Sequence, residues 1–265
     1  VDEVFVHLSS QTNLPINKII KELEVMGVTV DLNINVFEME IPVQREIERI
    51  GNYYTVSFSP KIHSFKQIFF KRVMDIVGAI VGLLITGIVT VFLAPALLIE
   101  SPGPLFFSQV RVGKNGRRFK IYKFRSMYMD AEERKKELMS QNEMDGLMFK
   151  MENDPRVTKV GKFIRKTSID ELPQFWNILK GEMSLVGTRP PTEDEFLQYE
   201  GYHRRRLNMT PGLTGLWQVS GRSDTKNFEE IVAMDVEYID NWSLKEDIKI
   251  LFKTVGVVLK GKGAS

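Results

Sequence analysis

With 265 residues, 43% of them apolar, the chain can bury a sizeable core, which excludes a disordered polypeptide. A formal charge of only +2 provides no global field for nucleic acid, so any basic function rests on local clusters. Cysteine is absent, which rules out disulfides, thiolate zinc sites and cysteine nucleophiles and fits a reducing compartment.

The chain opens on Val1 without a basic-then-apolar leader, so it reads as part of something longer. Residues 2–8 predict a strand, Leu14 to Met26 a helix with Ile16, Ile19, Ile20 and Leu23 on one face, and Val28 to Val36 a second strand. With its tail to Phe58 this βαβ-like unit is small for an independent core. Residues 1–59 are therefore read as the end of an α/β domain, and 60–68 as a linker.

From Ile76 to Ile99 the chain runs 24 residues without a charge. As a straight helix that run reaches about 36 Å, enough to cross a hydrocarbon core about 30 Å thick. Lys71 and Arg72 precede it and Arg111, Lys114, Arg117 and Arg118 follow, so the positive-inside rule assigns both flanks to the cytoplasm. A helix over 69–100 that dips in and returns meets that condition; an ordinary transmembrane helix is the alternative. Pro95 and the glycines at 78, 82 and 87 offer places to bend.

Beyond the run, SPGP at 101–104 predicts a rigid turn into a hairpin, LFFSQVRVG and FKIYKF joined through Lys114-Asn115-Gly116-Arg117. Asp130 to Gln141 reads as a charged helix, Phe228 to Ile239 as another, and Leu244 to Leu259 as a third behind a Ser243-x-x-Glu246 capping box. Leu244, Ile248, Leu251, Val255 and Val258 form an apolar stripe on the last helix, expected to face the core.

Chemistry concentrates in residues 165–191. Pro173 lacks an amide hydrogen and fits a first helical turn, which places a helix start at or just before Asp170. Asp170 and Glu171 then stand where anionic groups and phosphates are favoured. Capping alone explains the acids equally well, because Ser168-x-x-Glu171 also scans as a capping box. Arg165, five residues earlier, and Arg189 in a Thr-Arg-Pro-Pro turn, with Lys123 and Arg125 from KFRSM, would make a polyanion site. Two adjacent carboxylates point to a divalent metal, one acid holding Mg2+ and the other free to attack phosphorus. The three histidines are scattered, and no GxxxxGK[ST], GxGxxG or Asp-X-Asp occurs. His203 to Arg206 is basic but lacks an aromatic platform for nucleic acid.

SPGP at 101, Gln109-x-Arg111-x-Gly113, KFRSM at 123, DPRVTKVGKFIRKTSIDELPQFWN from 154, GEMSLVGTRPP from 181 and PGLTGLWQVSGR from 211 together resemble the bacterial sugar transferases. These are monotopic polyprenol phosphate sugar-1-phosphate transferases that start capsule, exopolysaccharide or O-antigen synthesis. The resemblance covers Phe69 to the C-terminus. It implies that Asp170 attacks the β-phosphate of a UDP-sugar, releasing UMP and forming a covalent sugar-phosphate enzyme that polyprenol phosphate then resolves. Glu171 matches the Mg2+ ligand, Arg165 and Arg189 the phosphate and nucleotide contacts, Lys123 a basic residue near the site, and Lys71, Arg72 and Asp75 the anchors of a re-entrant helix. Two departures stand out: Thr86-Gly87 replaces the helix-breaking Ser-Pro of many members, and Thr188-Arg189-Pro190 replaces Pro-Arg-Pro.

The expected fold class is α+β: a catalytic domain over 101–265 held on the cytoplasmic face of the inner membrane by the re-entrant helix, after the end of a Rossmann-like domain. The expected partners are a UDP-hexose, glucose before galactose, undecaprenyl phosphate, the membrane and a possible second copy of the chain, with no nucleic acid. A magnesium-dependent phosphohydrolase and a non-catalytic membrane scaffold are the rival readings.

Overall fold

A computed structural model describes residues 3–7, 29–33, 44–50, 53–59, 64–131, 133–134, 151, 154–220 and 227–259. The chain divides into two compact units, Val1–Lys61 and Ile62–Ser265.

In the first unit, β1 (Glu3–His7) pairs in parallel with β2 (Thr29–Asn33), Glu3 opposite Thr29. Parallel strands need a crossover, and the helix expected over Leu14 to Met26 lies outside the described residues. The stretch read only as a tail is an antiparallel hairpin, β3 (Gln44–Ile50) with β4 (Tyr53–Ser59). Alternating apolar residues at 54, 56 and 58 carried that strand signal. A full Rossmann-like sheet is not seen among the described residues.

The second unit starts with α1 (Phe65–Glu100), 36 residues capped by the Ser64 hydroxyl on the Gln67 amide. It begins before the expected position 69, because Ser64 stops the chain and nothing from Phe65 onward breaks a helix. The helix passes through Pro95 without interruption. Its buried positions are Lys71, Asp75, Ala79, Gly82, Thr86, Leu93 and Leu97, steps of three, four and seven that mark one face. The other face exposes large apolar side chains such as Phe65, Val77, Leu84, Ile88 and Phe92.

The predicted hairpin forms as β5 (Phe106–Val112) and β6 (Arg118–Phe124), with Asn115 and Gly116 at positive φ in the turn. The Asp130 helix is seen in its first turn, where the Arg134 amide donates to the Asp130 carbonyl at 3.2 Å, and its remainder lies outside the described residues. Then follow α2 (Lys159–Lys166), a 3-10 helix at Ile169–Gln174, α3 (Phe175–Lys180), β7 (Ser184–Val186), α4 (Glu193–Leu197), a 3-10 turn at His203–Leu207, and β8 (Gly212–Thr214), parallel to β7. Three helices close the unit: α5 (Leu216–Ser220), α6 (Phe228–Asp240) and α7 (Leu244–Leu259). The Ser243 hydroxyl caps α7 by accepting from the Glu246 amide at 3.2 Å.

The main core joins Ala79 of α1 to Ile121, Ile178, Leu185, Val186, Tyr238, Trp242 and Ile250. A second cluster packs Leu93 and Leu97 of α1 against Phe124 and Ile164, with Ile169 and Leu172 beside them. The apolar stripe of α7 is split: Leu244 and Leu251 pack on the core, whereas Ile248, Val255 and Val258 face outward. Periodicity reveals that a helix has an apolar face; what covers that face depends on tertiary neighbours.

Candidate active site

The acidic pair is built by a change of helix type. α2 ends at Lys166 with Thr167 as its C-cap, and Ser168 takes a left-handed conformation (φ 55°) that turns the chain into the 3-10 helix bearing Asp170 and Glu171 in its first turn. Ser168 makes no side-chain cap, so the Ser168-x-x-Glu171 capping box does not form: its backbone is left-handed rather than in the extended region a capping residue adopts. Asp170 is therefore within the helix rather than its cap. Pro173 sits inside the same helix, past its first turn rather than within it, and α3 continues from Phe175.

Asp170 is largely buried, yet both acids meet a cation. The ammonium of Lys123, from the end of β6, lies 2.8 Å from Glu171 Oε1 and 3.7 Å from Asp170 Oδ2. Strand β6 packs directly on the 3-10 helix, which fixes this approach. The two carboxylates offer the hard oxygen donors that Mg2+ prefers. Among the described residues no three His, Cys, Asp or Glu side chains converge as a ligand set. An ion at Glu171 would thus complete its shell from water and substrate phosphate oxygens, the usual habit of Mg2+.

A second, basic group lies beside the first. Arg189 pairs with the Glu195 carboxylate at 3.2 Å, and Glu195 also accepts from the Thr192 amide at 2.9 Å in a complete capping box. Arg111 of β5 donates through Nη1 to the Pro190 carbonyl at 3.1 Å and through Nη2 to Gln109 Oε1 at 2.8 Å. Burial, reinforced by Arg189, pulls Arg111 down to about 10, while Glu195 and Glu171 act in the opposite sense. Burial alone would raise Glu195, but Arg189 and Arg111 outweigh it and hold the carboxyl below its ordinary range.

The expected residues do not all converge. Lys123, Asp170 and Glu171 come together, whereas Arg189 pairs with Glu195, and Arg111 feels the fields of both Arg189 and Glu171. Arg165, half-buried on the last turn of α2, acts electrostatically on Asp154. Arg125 is placed elsewhere: its guanidinium donates to the Ser101 and Pro102 carbonyls and stitches the turn after α1. Gly103, whose φ of +139° keeps a side chain away, leaves room for that guanidinium. Arg111 and Glu195 were not singled out as site residues, although Thr192-x-x-Glu195 carries a capping-box pattern that would have placed the glutamate.

Lys71, Arg72 and Asp75 all have partners within the protein. Lys71 bonds Asp247 at 2.7 Å and the Val186 carbonyl at 3.0 Å, Asp75 accepts from the Leu185 amide and the Ser184 hydroxyl, and Arg72 caps the carbonyls of Ile178 and Leu179. Further along, Ile169 and Leu172 pack beside Leu93 and Leu97, and the Thr86 hydroxyl, which donates to the Gly82 carbonyl at 2.7 Å, shares that proton with the Leu172 carbonyl at 3.2 Å. The 3-10 helix with the acidic pair is thereby seated on α1.

The sequence over residues 66–261 matches the profile of the family described as "Bacterial sugar transferase". The chain is 51% identical, over its whole length and 59% of the relative, to "Galactosyl transferase CpsE" of Streptococcus agalactiae serotype III (strain NEM316). It is 47% identical, over 74% of itself and 42% of the relative, to "Undecaprenyl-phosphate galactose phosphotransferase" of Salmonella typhimurium. A third relative, "UDP-glucose:undecaprenyl-phosphate glucose-1-phosphate transferase" of Klebsiella pneumoniae, is 34% identical over 96% of the chain and 54% of its own length. The chain thus spans about half the length of these curated relatives. Motifs, an acidic pair seated on a long apolar helix and a profile match across most of the sequence agree: the chain belongs to the bacterial sugar transferase family.

Proposed function

We propose that this chain transfers a hexose 1-phosphate from a UDP-hexose to undecaprenyl phosphate at the cytoplasmic face of the inner membrane, opening exopolysaccharide or capsule synthesis. The observation that carries the reading is that the 3-10 helix bearing Asp170 and Glu171, with Lys123 beside them, packs on an apolar helix long enough to enter a bilayer. A lipid phosphate at the membrane surface and a soluble nucleotide sugar can then meet the same carboxylates. Galactose takes precedence over glucose, reversing the order expected from sequence, since the two relatives of higher identity carry galactose in their names and the glucose one is more distant.

In the first half-reaction an Asp170 carboxylate oxygen forms a bond to the β-phosphorus of the UDP-hexose. The bond from that phosphorus to the bridging oxygen breaks, and its electron pair leaves with UMP. In the second, a phosphate oxygen of undecaprenyl phosphate attacks the same phosphorus and restores the Asp170 carboxylate. Lys123 holds the two acids together and offsets one of their two negative charges before substrate arrives. Glu171 would hold Mg2+, which when bound supplies a positive charge for the diphosphate oxygens.

The membrane segment is read as re-entrant. Its start is bonded to Asp247, β7 and α3, and at its end Glu100 accepts from the Lys159 and Val160 amides at 2.7 and 2.8 Å. A crossing helix would carry one end away from the catalytic unit to the far side of the bilayer. Here both ends are tied to one body.

Incubating the chain with UDP-galactose labelled in the β-phosphate, without lipid, is expected to leave label on denatured protein, and Asp170→Asn to leave none. UMP release that proceeds with water alone, at equal rate with or without undecaprenyl phosphate, would favour a phosphohydrolase. An Asp170→Asn variant that loses thermal stability but no rate would favour a scaffold.

A further inference from the structure

We propose that Asn177 is a positioning residue of the active site: its buried side-chain amide stands in for a third strand at the edge of β6 and thereby holds Lys123 against Asp170 and Glu171. The inference rests on the transferase reading for what Lys123 does there, and adds the device that keeps it in place.

The Lys123 ammonium rides on a flexible stem, so where it stands depends first on where β6 stands. Sheet pairing controls only one side of that strand. Among the described residues β6 pairs with β5 alone, which leaves the N–H and C=O groups of its other edge to find partners elsewhere. Lys120 and Tyr122, two positions apart, aim these groups at the same edge. The Asn177 side chain meets both: Oδ1 accepts from the Tyr122 amide at 3.2 Å and Nδ2 donates to the Lys120 carbonyl at 2.6 Å. One amide thus reproduces the donor and acceptor pattern of a neighbouring strand.

Asn177 is itself held. Its Nδ2 also donates to Glu182 Oε2 at 2.7 Å, and Glu182 is paired in turn with Lys180 at 2.6 Å. The Lys120 carbonyl and the Glu182 carboxylate accept, whereas the Tyr122 amide donates, so a single orientation of the Asn177 amide serves all three. Asn177 is 0% exposed, and water offers none of these bonds a replacement.

Its place in the chain gives the clamp its consequence. Asn177 lies on α3, which continues directly from the 3-10 helix bearing the acids. Its side chain therefore ties the acids' own helical segment to the strand that carries Lys123, one residue past Tyr122. Ile121 shares the buried core with Ile178, but apolar contact is non-directional and does not by itself set a position along the strand. The two hydrogen bonds to β6 are directional and do. The outcome is the Lys123 ammonium at 2.8 Å from Glu171 and 3.7 Å from Asp170.

Acylation of lysines by an amine-reactive succinimidyl ester, on the full chain in lipid nanodiscs and quantified by peptide mass spectrometry, tests this without turnover. Asn177→Leu, close in size but without polar groups, is expected to raise the acylation rate of Lys123 severalfold and to leave that of Lys71, buried against Asp247, at the native value. A merely structural role would loosen the core and raise both rates together; that result, or an unchanged Lys123 rate, would overturn the proposal. Asn177→Asp keeps the acceptor for Tyr122 and gives up the donor for Lys120, so it should give a smaller rise at Lys123 alone, and it carries the test if Asn177→Leu does not fold. Turnover with UDP-galactose and undecaprenyl phosphate supplies a second readout. Asn177→Leu is expected to lower kcat about a hundredfold, the loss that a displacement of about 1 Å can bring. In a Lys123→Met background it should lower kcat no further, since residues acting through one contact are not additive. Full additivity would count against the proposal and overturn it. A native chain without transfer activity would remove the transferase reading alone, and the acylation rates would still decide whether Asn177 places Lys123.

Discussion

Glu195 uses one carboxylate twice: it closes the capping box of α4 and it holds Arg189. Its folded pKa is depressed below the ordinary glutamate value of 4.5. Its stabilising contribution is therefore complete above that value and is lost as pH falls through the lower, folded one. Thermal unfolding followed from neutral pH downward should show this acid-side loss, and Glu195→Gln should diminish it. Arg206 and Asp235 present a different case, a fully buried pair joined at 2.7 Å with the Tyr199 hydroxyl accepting from Arg206 at 2.6 Å. Removing one partner strands the other charge, so Arg206→Met should cost about 3–5 kcal/mol in denaturant unfolding. Arg206→Met with Asp235→Leu should recover much of that loss. Within the basic run at 203–206, Arg206 belongs to the interior, 1% exposed and over the Tyr199 and Phe228 rings, whereas Arg204 and Arg205 are exposed.

At the level of elements, α1 determines where the chemistry sits. Glycine at 82 allows the Phe175 ring to lie against the helix, and an added Cβ would fall 2.3 Å from that ring. Gly82→Val should overpack this contact, at a typical cost of about 1–3 kcal/mol, and displace the 3-10 helix with Asp170. The expected readout is a lower melting temperature in detergent together with reduced covalent labelling. Gly87→Ala, with open space around it, should change neither. The helix was legible because an uncharged run of its length has few other uses, and the hairpin because turn residues separate two alternating strands. The 3-10 character of Ile169–Gln174 was not legible, because it depends on Ser168 adopting φ 55° to close the turn after α2. The inward turn of Lys71 and Asp75 was equally hidden. Their partners on β7 and α7 lie more than 100 residues away, at 109 to 176 positions along the chain.

For the whole molecule, the exposed apolar surface is the dominant property. Along α1 it includes Phe65 at 81%, Phe92 at 78% and Ile99 at 84% exposure, more than a water-facing surface tolerates. The chain should sediment with membranes and stay there through high-salt washing, since burial of this kind is not ionic. Single cysteines at Lys66 and Asn115, both exposed, should react from the same side of sealed vesicles. Labelling from opposite sides would mean a crossing helix and would remove the re-entrant reading. The local facts were written in the order of residues: the apolar run, the hairpin, Pro173 within a helical turn and the acids beside it. Such features depend on neighbours a few positions apart, where propensity and backbone sterics act. Which cation meets Asp170, which arginine stitches a turn and which faces the site were decided by folding. Lys123 reaches Glu171 across 48 positions and Arg111 reaches Pro190 across 79. Charges alone carry no record of such distances, because Coulomb attraction selects partners only after packing has brought them near.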